Sequence, residues 1–83
     1  MYKVFVSRSV LKRIEKSPKS VQILFEDLEG KGPIHYQWPN YSKLGKIKYH
    51  CHLCYSWVAC WICESKSIEI EVYYAGSRES APY

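Results

Sequence analysis

The sequence lacks any apolar run approaching the roughly 20 residues that a membrane-crossing helix needs, so no membrane partner is expected. Its opening, Met1-Tyr2-Lys3-Val4, has none of the apolar core of a secretory signal, which places the chain in the cytoplasm by expectation. No internal repeat and no low-complexity segment occurs, so repeat arrays and compositionally biased tails are excluded. At 83 residues it also lacks the length for a second core, and residues 1–83 read as one domain. Carboxylates are in short supply: 8 Asp and Glu stand against 12 Lys and Arg, giving a net charge of +4 and a pI near 8.9. That balance points to an anionic partner without identifying it. What the chain has in quantity is apolar and aromatic surface, 47% hydrophobic and 16% aromatic, with eight Tyr and three Trp. A domain of this size buries only about 60% of its unfolded surface, so its core must be dense. Four Cys in a chain without an export signal read as reduced thiols rather than two disulfides.

Taken in order, residues 2–7 predict a strand with Val4 and Val6 on one parity and Phe5 on the other, the pattern of an inner strand buried on both faces. Ser7 or Ser9 caps a short helix to about Lys16, with Val10, Leu11 and Ile14 at helical spacing. Ser17-Pro18 opens a second helix, Ser as N-cap and Pro at the first helical position, where its missing N–H costs nothing. Val21, Leu24, Phe25 and Leu28 face inward, and Gly30 is the predicted stop. Glu26, Asp27 and Glu29 in the last turn oppose the helix dipole and ask for a cationic neighbour. A loop then runs from Gly32-Pro33 to about Ser42, its Tyr36, Trp38 and Tyr41 expected to pack across a sheet edge.

Residues 46–53 alternate without a miss. Lys46, Lys48, His50 and His52 occupy one parity; Ile47, Tyr49, Cys51 and Leu53 occupy the other. A strand with one basic and one apolar face follows, its same-face neighbours about 6.6 Å apart. After a turn at 54–56, residues 57–64 are apolar on both parities, as at a sheet centre. Ser65-Lys66-Ser67 turns into a last strand at 68–75, with Ile68, Ile70, Val72 and Tyr74 on one face and Glu69, Glu71 and Tyr73 on the other; Gly76 ends it. The order is β-α-α-β-β-β, an α+β fold in which a helical hairpin covers one face of a mainly antiparallel sheet. The other face is left to the Lys/His row.

Three chemistries compete for these residues. Cys51-x-x-Cys54 and Cys60-x-x-Cys63 resemble zinc spacing, but only five residues separate the pairs, and Cys60 and Cys63 point to opposite faces of one strand. No metal and no cofactor are expected, and the thiols read as small buried hydrophobes. A nucleophilic Cys–His pair is weak, because sequence neighbours on a strand face apart. Nucleic acid fits best: a basic row supplies phosphate contacts and proton transfer, and Trp57, Trp61 or Tyr83 offers a stacking platform for a splayed-out base, Trp61 being the one most readily explained as core. The tail Arg78-Glu79…Tyr83 adds a cation, a carboxylate and an aromatic with little apolar reason for order.

These residues resemble the RelE/ParE superfamily of bacterial and archaeal toxins from toxin–antitoxin pairs. The likeness spans the chain and rests on the element order, on Lys46-Ile47-Lys48, on Val58-Ala59-Cys60-Trp61, and on 70–79 (Ile-Glu-Val-Tyr-Tyr-Ala-Gly-Ser-Arg-Glu) with Ala81-Pro82-Tyr83. RelE-like members cut messenger RNA in the ribosomal A site and are silenced by a cognate antitoxin. The resemblance implies a phosphate-binding Lys46, a general base at Lys48, a leaving-group stabiliser at Arg78, and substrate contacts from Glu79 and the stacking Tyr83. Trp57 stands where RelE carries a further arginine, and His50 is the residue able to compensate as acid or base. The alternatives are a ParE-like toxin acting on a protein such as DNA gyrase, and a non-catalytic RNA- or ribosome-binding module.

Overall fold

Strand β1, Lys3–Val6, runs into helix α1, Arg8–Ile14, through Ser7, whose hydroxyl accepts a hydrogen bond from the Val10 N–H. This is the cap the sequence predicts, satisfying one of the donors a helix start leaves open. The structure, a computed structural model, describes residues 1–82; the stacking role read at Tyr83 falls outside them. Helix α2, Lys19–Lys31, starts one residue later than the Ser17-Pro18 reading, with Pro18 itself at the cap and no side chain bonding there. Ser17 turns its hydroxyl back to donate to the Ile14 carbonyl, closing α1 instead of opening α2.

Gly30 does not stop α2. The helix continues to Lys31, and Gly32 ends it at φ 87°, a conformation glycine adopts without steric cost. A Cβ at Gly32 would also lie 2.7 Å from the Tyr2 ring, so position 32 is closed to side chains on both counts. Among the described residues the carboxylate cluster finds an indole rather than a cation: Trp38 Nε1 donates to Asp27 Oδ2 at 2.9 Å. That bond anchors the loop against α2. Trp38 and Tyr41 pack on the core as predicted, whereas Tyr36 remains 82% exposed, its ring edge-on to Tyr41.

The remaining strands are β2, Ser42–Lys43, β3, Lys48–His52, β4, Trp57–Ile62, and β5, Glu69–Ser77. They form one sheet in the order β1-β5-β4-β3-β2, antiparallel except for the β1–β5 pair. Two helices on a five-stranded mixed sheet make the α+β fold that the sequence predicts, with β2 as an unforeseen edge. The inner-strand reading of β1 does not survive: it lies at the other edge, and Phe5 is 50% exposed. Its apolar alternation reflected a parallel partner on one side only, which periodicity cannot distinguish from two.

Two further departures matter for function. β3 is shorter than 46–53, so Lys46 sits in the turn before it and not in the strand. In β5 the register slips opposite Cys60 and Trp61: Cys60 pairs with Tyr74 while Trp61 pairs with Val72, which leaves Tyr73 as the extra residue of a bulge. Simple alternation therefore fails beyond Val72, and the strand runs on through Gly76 to Ser77.

The core lies between the helices and the face carrying Tyr49, Cys51, Ala59, Trp61, Ile70, Val72 and Ala75, with Val10, Leu24 and Leu28 coming from α1 and α2. Trp61 is its centre, 0% exposed. It stacks on Tyr49 at 6.1 Å between centroids and meets buried His35 edge-on at 6.3 Å. Its Nε1 donates to the Pro33 carbonyl at 3.0 Å, tying the loop after α2 to the sheet.

Candidate functional site

Because paired residues share a face, the register places Lys48, Ile62 and Glu71 in one cross-strand row, His50, Cys60 and Tyr74 in the next, and His52, Val58 and Gly76 in a third. Arg78 follows Ser77 directly and opens a 3₁₀ turn, Arg78–Ser80, with its side chain exposed, as is that of Glu79. The third row is thus two residues from Arg78, about 7 Å of extended chain, whereas the Lys48 row is seven residues away, about 20 Å. The histidines sit at the Arg78 end of the face. Lys48 and Lys46 sit toward the other.

Charge divides the same way. Beside the Lys48 row, Phe5, Ile62, Glu64, Ser67, Glu69 and Glu71 line a hollow of about 450 Å³ that is acidic in character. Lys46 lines a separate hollow of about 250 Å³ with Lys43, Lys66, Tyr49 and others. The basic row read from residues 46–52 is therefore continuous in sequence but split in space.

His50 and His52 form the compact part. Their rings stand 5.7 Å apart between centroids, inclined by 62°. His50 is only 8% exposed, contrary to the open face predicted for it, because Ser42 on β2 packs beside it with Oγ 3.0 Å from Nδ1. Asn40 Nδ2 donates to His52 Nδ1 at 3.1 Å, held there by a positive φ of 52° at Asn40. That bond leaves the proton of a neutral His52 on Nε2. His50 is held through Nδ1 by the Ser42 hydroxyl in the same way that Asn40 holds His52. The loop from Trp38 to Ser42 was read only as packing; it also orients both rings. The signal for this was Asn40 and Ser42 themselves, but only tertiary structure gives them histidine partners.

Burial holds the His50 imidazole below its ordinary value, with the Ser42 backbone bond opposing the shift and the neighbouring His52 adding to it. The unfolded chain then takes up this proton more readily than the folded one. Stability due to His50 is present above the unfolded value of 6.5 and is lost as pH falls through the lower folded value. Between about pH 7.5 and pH 5.5 the melting temperature should fall, and His50→Gln should make that fall shallower. An identical pH slope in the variant, followed by circular dichroism, would contradict the burial assigned to this ring.

The buried thiols of Cys51 and Cys60 are poor nucleophiles. Burial pushes Cys51 up to about 12, with Cys60 beside it adding to the shift, and pushes Cys60 up to about 11 against the opposing influence of Tyr73. Both stay protonated at neutral pH, so neither supplies a thiolate for a Cys–His mechanism. Among the described residues no three His, Cys, Asp or Glu side chains gather as a metal-ligand set. The Tyr73 hydroxyl is pushed up to about 12 by burial and by Cys60, and remains a proton donor over the same face.

Trp57 does not join the histidines. On β4 it shares the parity of Ala59 and Trp61, opposite Ser77, and packs partly against the core. The structure instead brings in Arg13 from α1, whose guanidinium lies over the Tyr74 ring at 5.4 Å.

No protein-family model matches the sequence, and no curated protein matches it. Among solved structures, the crystal structure of a copper-bound mutant toxin from Helicobacter pylori superimposes with a TM-score of 0.72 at 19% identity, covering 95% of this chain and 97% of that one. The solution structure of a conserved hypothetical protein from Helicobacter pylori gives 0.62 at 14% identity, over the same shares of the two chains. The fold is therefore that of these proteins over nearly its whole length.

Proposed function

We propose that this chain is the toxin of a toxin–antitoxin pair, an endoribonuclease that cuts messenger RNA on the ribosome and is neutralised by a cognate antitoxin. The observation carrying this reading is the oriented His50/His52 pair two to four residues' register from Arg78. The toxin among its structural neighbours and the net charge of +4 agree with it.

Cleavage by the RNA's own 2′-hydroxyl needs a base at that hydroxyl, a cation at the phosphorane and an acid at the 5′ oxygen that leaves. His50, kept neutral at pH 7 by its burial, is the base for the 2′-hydroxyl proton. Nε2–H of His52 hydrogen-bonds the leaving oxygen, which takes its proton from water, and Arg78 stabilises the charge that develops between them. Lys48 and Lys46, farther along the face, hold neighbouring phosphates rather than the reacting one. Glu79, beside Arg78, adds a substrate contact, and the resemblance assigns base stacking to Tyr83.

The test is pulse labelling after induction of the protein alone in a bacterial host. Methionine incorporation should collapse while thymidine incorporation continues. The opposite order would place the target at DNA gyrase, and undisturbed growth would leave a non-catalytic module.

A further inference from the structure

We infer that a cleft between α1 and the ends of β4 and β5 is a second RNA subsite, taking the single strand as it leaves the histidine pair; the inference rests on the RNA reading above. The cleft encloses about 400 Å³ and is lined by Lys12, Arg13, Lys16, Trp57, Gly76 and Ser77. That volume lies in the range of about 300–1,000 Å³ typical of ligand pockets. Among the described residues its lining brings three cations to one place and no carboxylate, an arrangement that repels itself until an anion enters.

Lys12 and Lys16 are four residues apart and so stack on one side of α1 and its trailing turn. Arg13 lies down toward the sheet because residue 76 has no side chain. A Cβ there would stand 2.6 Å from Arg13 Nη1 and 2.9 Å from the Tyr74 hydroxyl. The occupant is a polynucleotide rather than an acidic peptide for two reasons. The half-buried Trp57 indole forms one wall, and base–aromatic stacking is worth about 1–3 kcal/mol per base. Gly76, which lines the cleft, stands in the cross-strand row of His52, and Ser77 beside it is joined to Arg78, so the cleft adjoins the Arg78 end of the proposed catalytic site.

The experiment measures binding of a fluorescent, fully 2′-O-methylated oligoribonucleotide of about 12 nucleotides, which cannot be cleaved, as salt is raised. Single-stranded binding weakens with a slope of about −0.7 per phosphate neutralised. Lys12→Ala/Lys16→Ala should therefore make the slope shallower by about 1.4, while Lys31→Ala at the far end of α2 leaves it unchanged. Trp57→Phe keeps the ring packing and should abolish the tryptophan quenching that RNA causes. An unchanged slope with retained quenching overturns the inference. So does polyglutamate competing as well as RNA per unit charge, since the cleft would then suit an acidic protein. If RNA binding needs the cleft yet wild-type protein leaves ribosomal messages intact, the nuclease reading fails and the subsite stands. If messages are cut but the cleft variants bind normally, the subsite alone fails.

Discussion

Trp61→Ala should leave the chain largely unfolded at 37 °C. The side chain is wholly buried, stacked on Tyr49 and edge-on to His35. Truncating a buried Trp to Ala costs about 3–5 kcal/mol. A domain of 83 residues has about 4–12 kcal/mol in total at 0.05–0.15 kcal/mol per residue, so the loss consumes much or all of it. Trp61→Phe retains a ring on Tyr49 but strands the Pro33 carbonyl that Nε1 now satisfies, at a cost of about 1–3 kcal/mol. At about 4–8 °C per kcal/mol for a domain of this size, the two variants separate clearly in a melting curve. A Trp61→Ala protein melting within a few degrees of wild type would mean that this residue is not the centre of the core.

Arg78→Ala should slow message cleavage about 10²–10³-fold with the fold intact, because it removes a cation aimed at charge that develops only in the transition state. Arg78 is exposed and lies beyond the last strand, so nothing in the core depends on it. Lys48 separates two mechanisms. If it holds a phosphate about 20 Å of chain from Arg78, Lys48→Ala weakens cleavage modestly and Lys48→Arg restores it, since the charge is all that is used. If it is the general base, as the family resemblance implies, Arg fails as badly as Ala, because arginine does not deprotonate. Rates measured on the same ribosome preparation, with melting run on each variant, decide between them.

The sequence was most readable where one period dominated over several residues. Val10 of α1, the Leu24–Leu28 face of α2 and the apolar β4 packed as their spacing required. It was least readable where a partner was remote. β1 looks the same at an edge as in the interior until its neighbour is known, and the tiny β2 has no period at all. The bulge at Tyr73 reversed the face of Tyr74, which no alternation rule anticipates. The same limit applies to the site. His50 and Arg78 were visible as residue types, yet their relation to each other depends on counting two registers across β4. His52, which belongs to the row but carried no separate role, and Arg13, drawn in from another element, follow only from that count.

The most direct measurement maps message ends after the protein acts on translating ribosomes. Wild-type protein should generate new ends within the codon occupying the A site, Arg78→Ala should generate almost none in the same interval, and the same message without ribosomes should stay whole. Intact messages on ribosomes with wild-type protein, or equal cleavage by Arg78→Ala, would contradict the account.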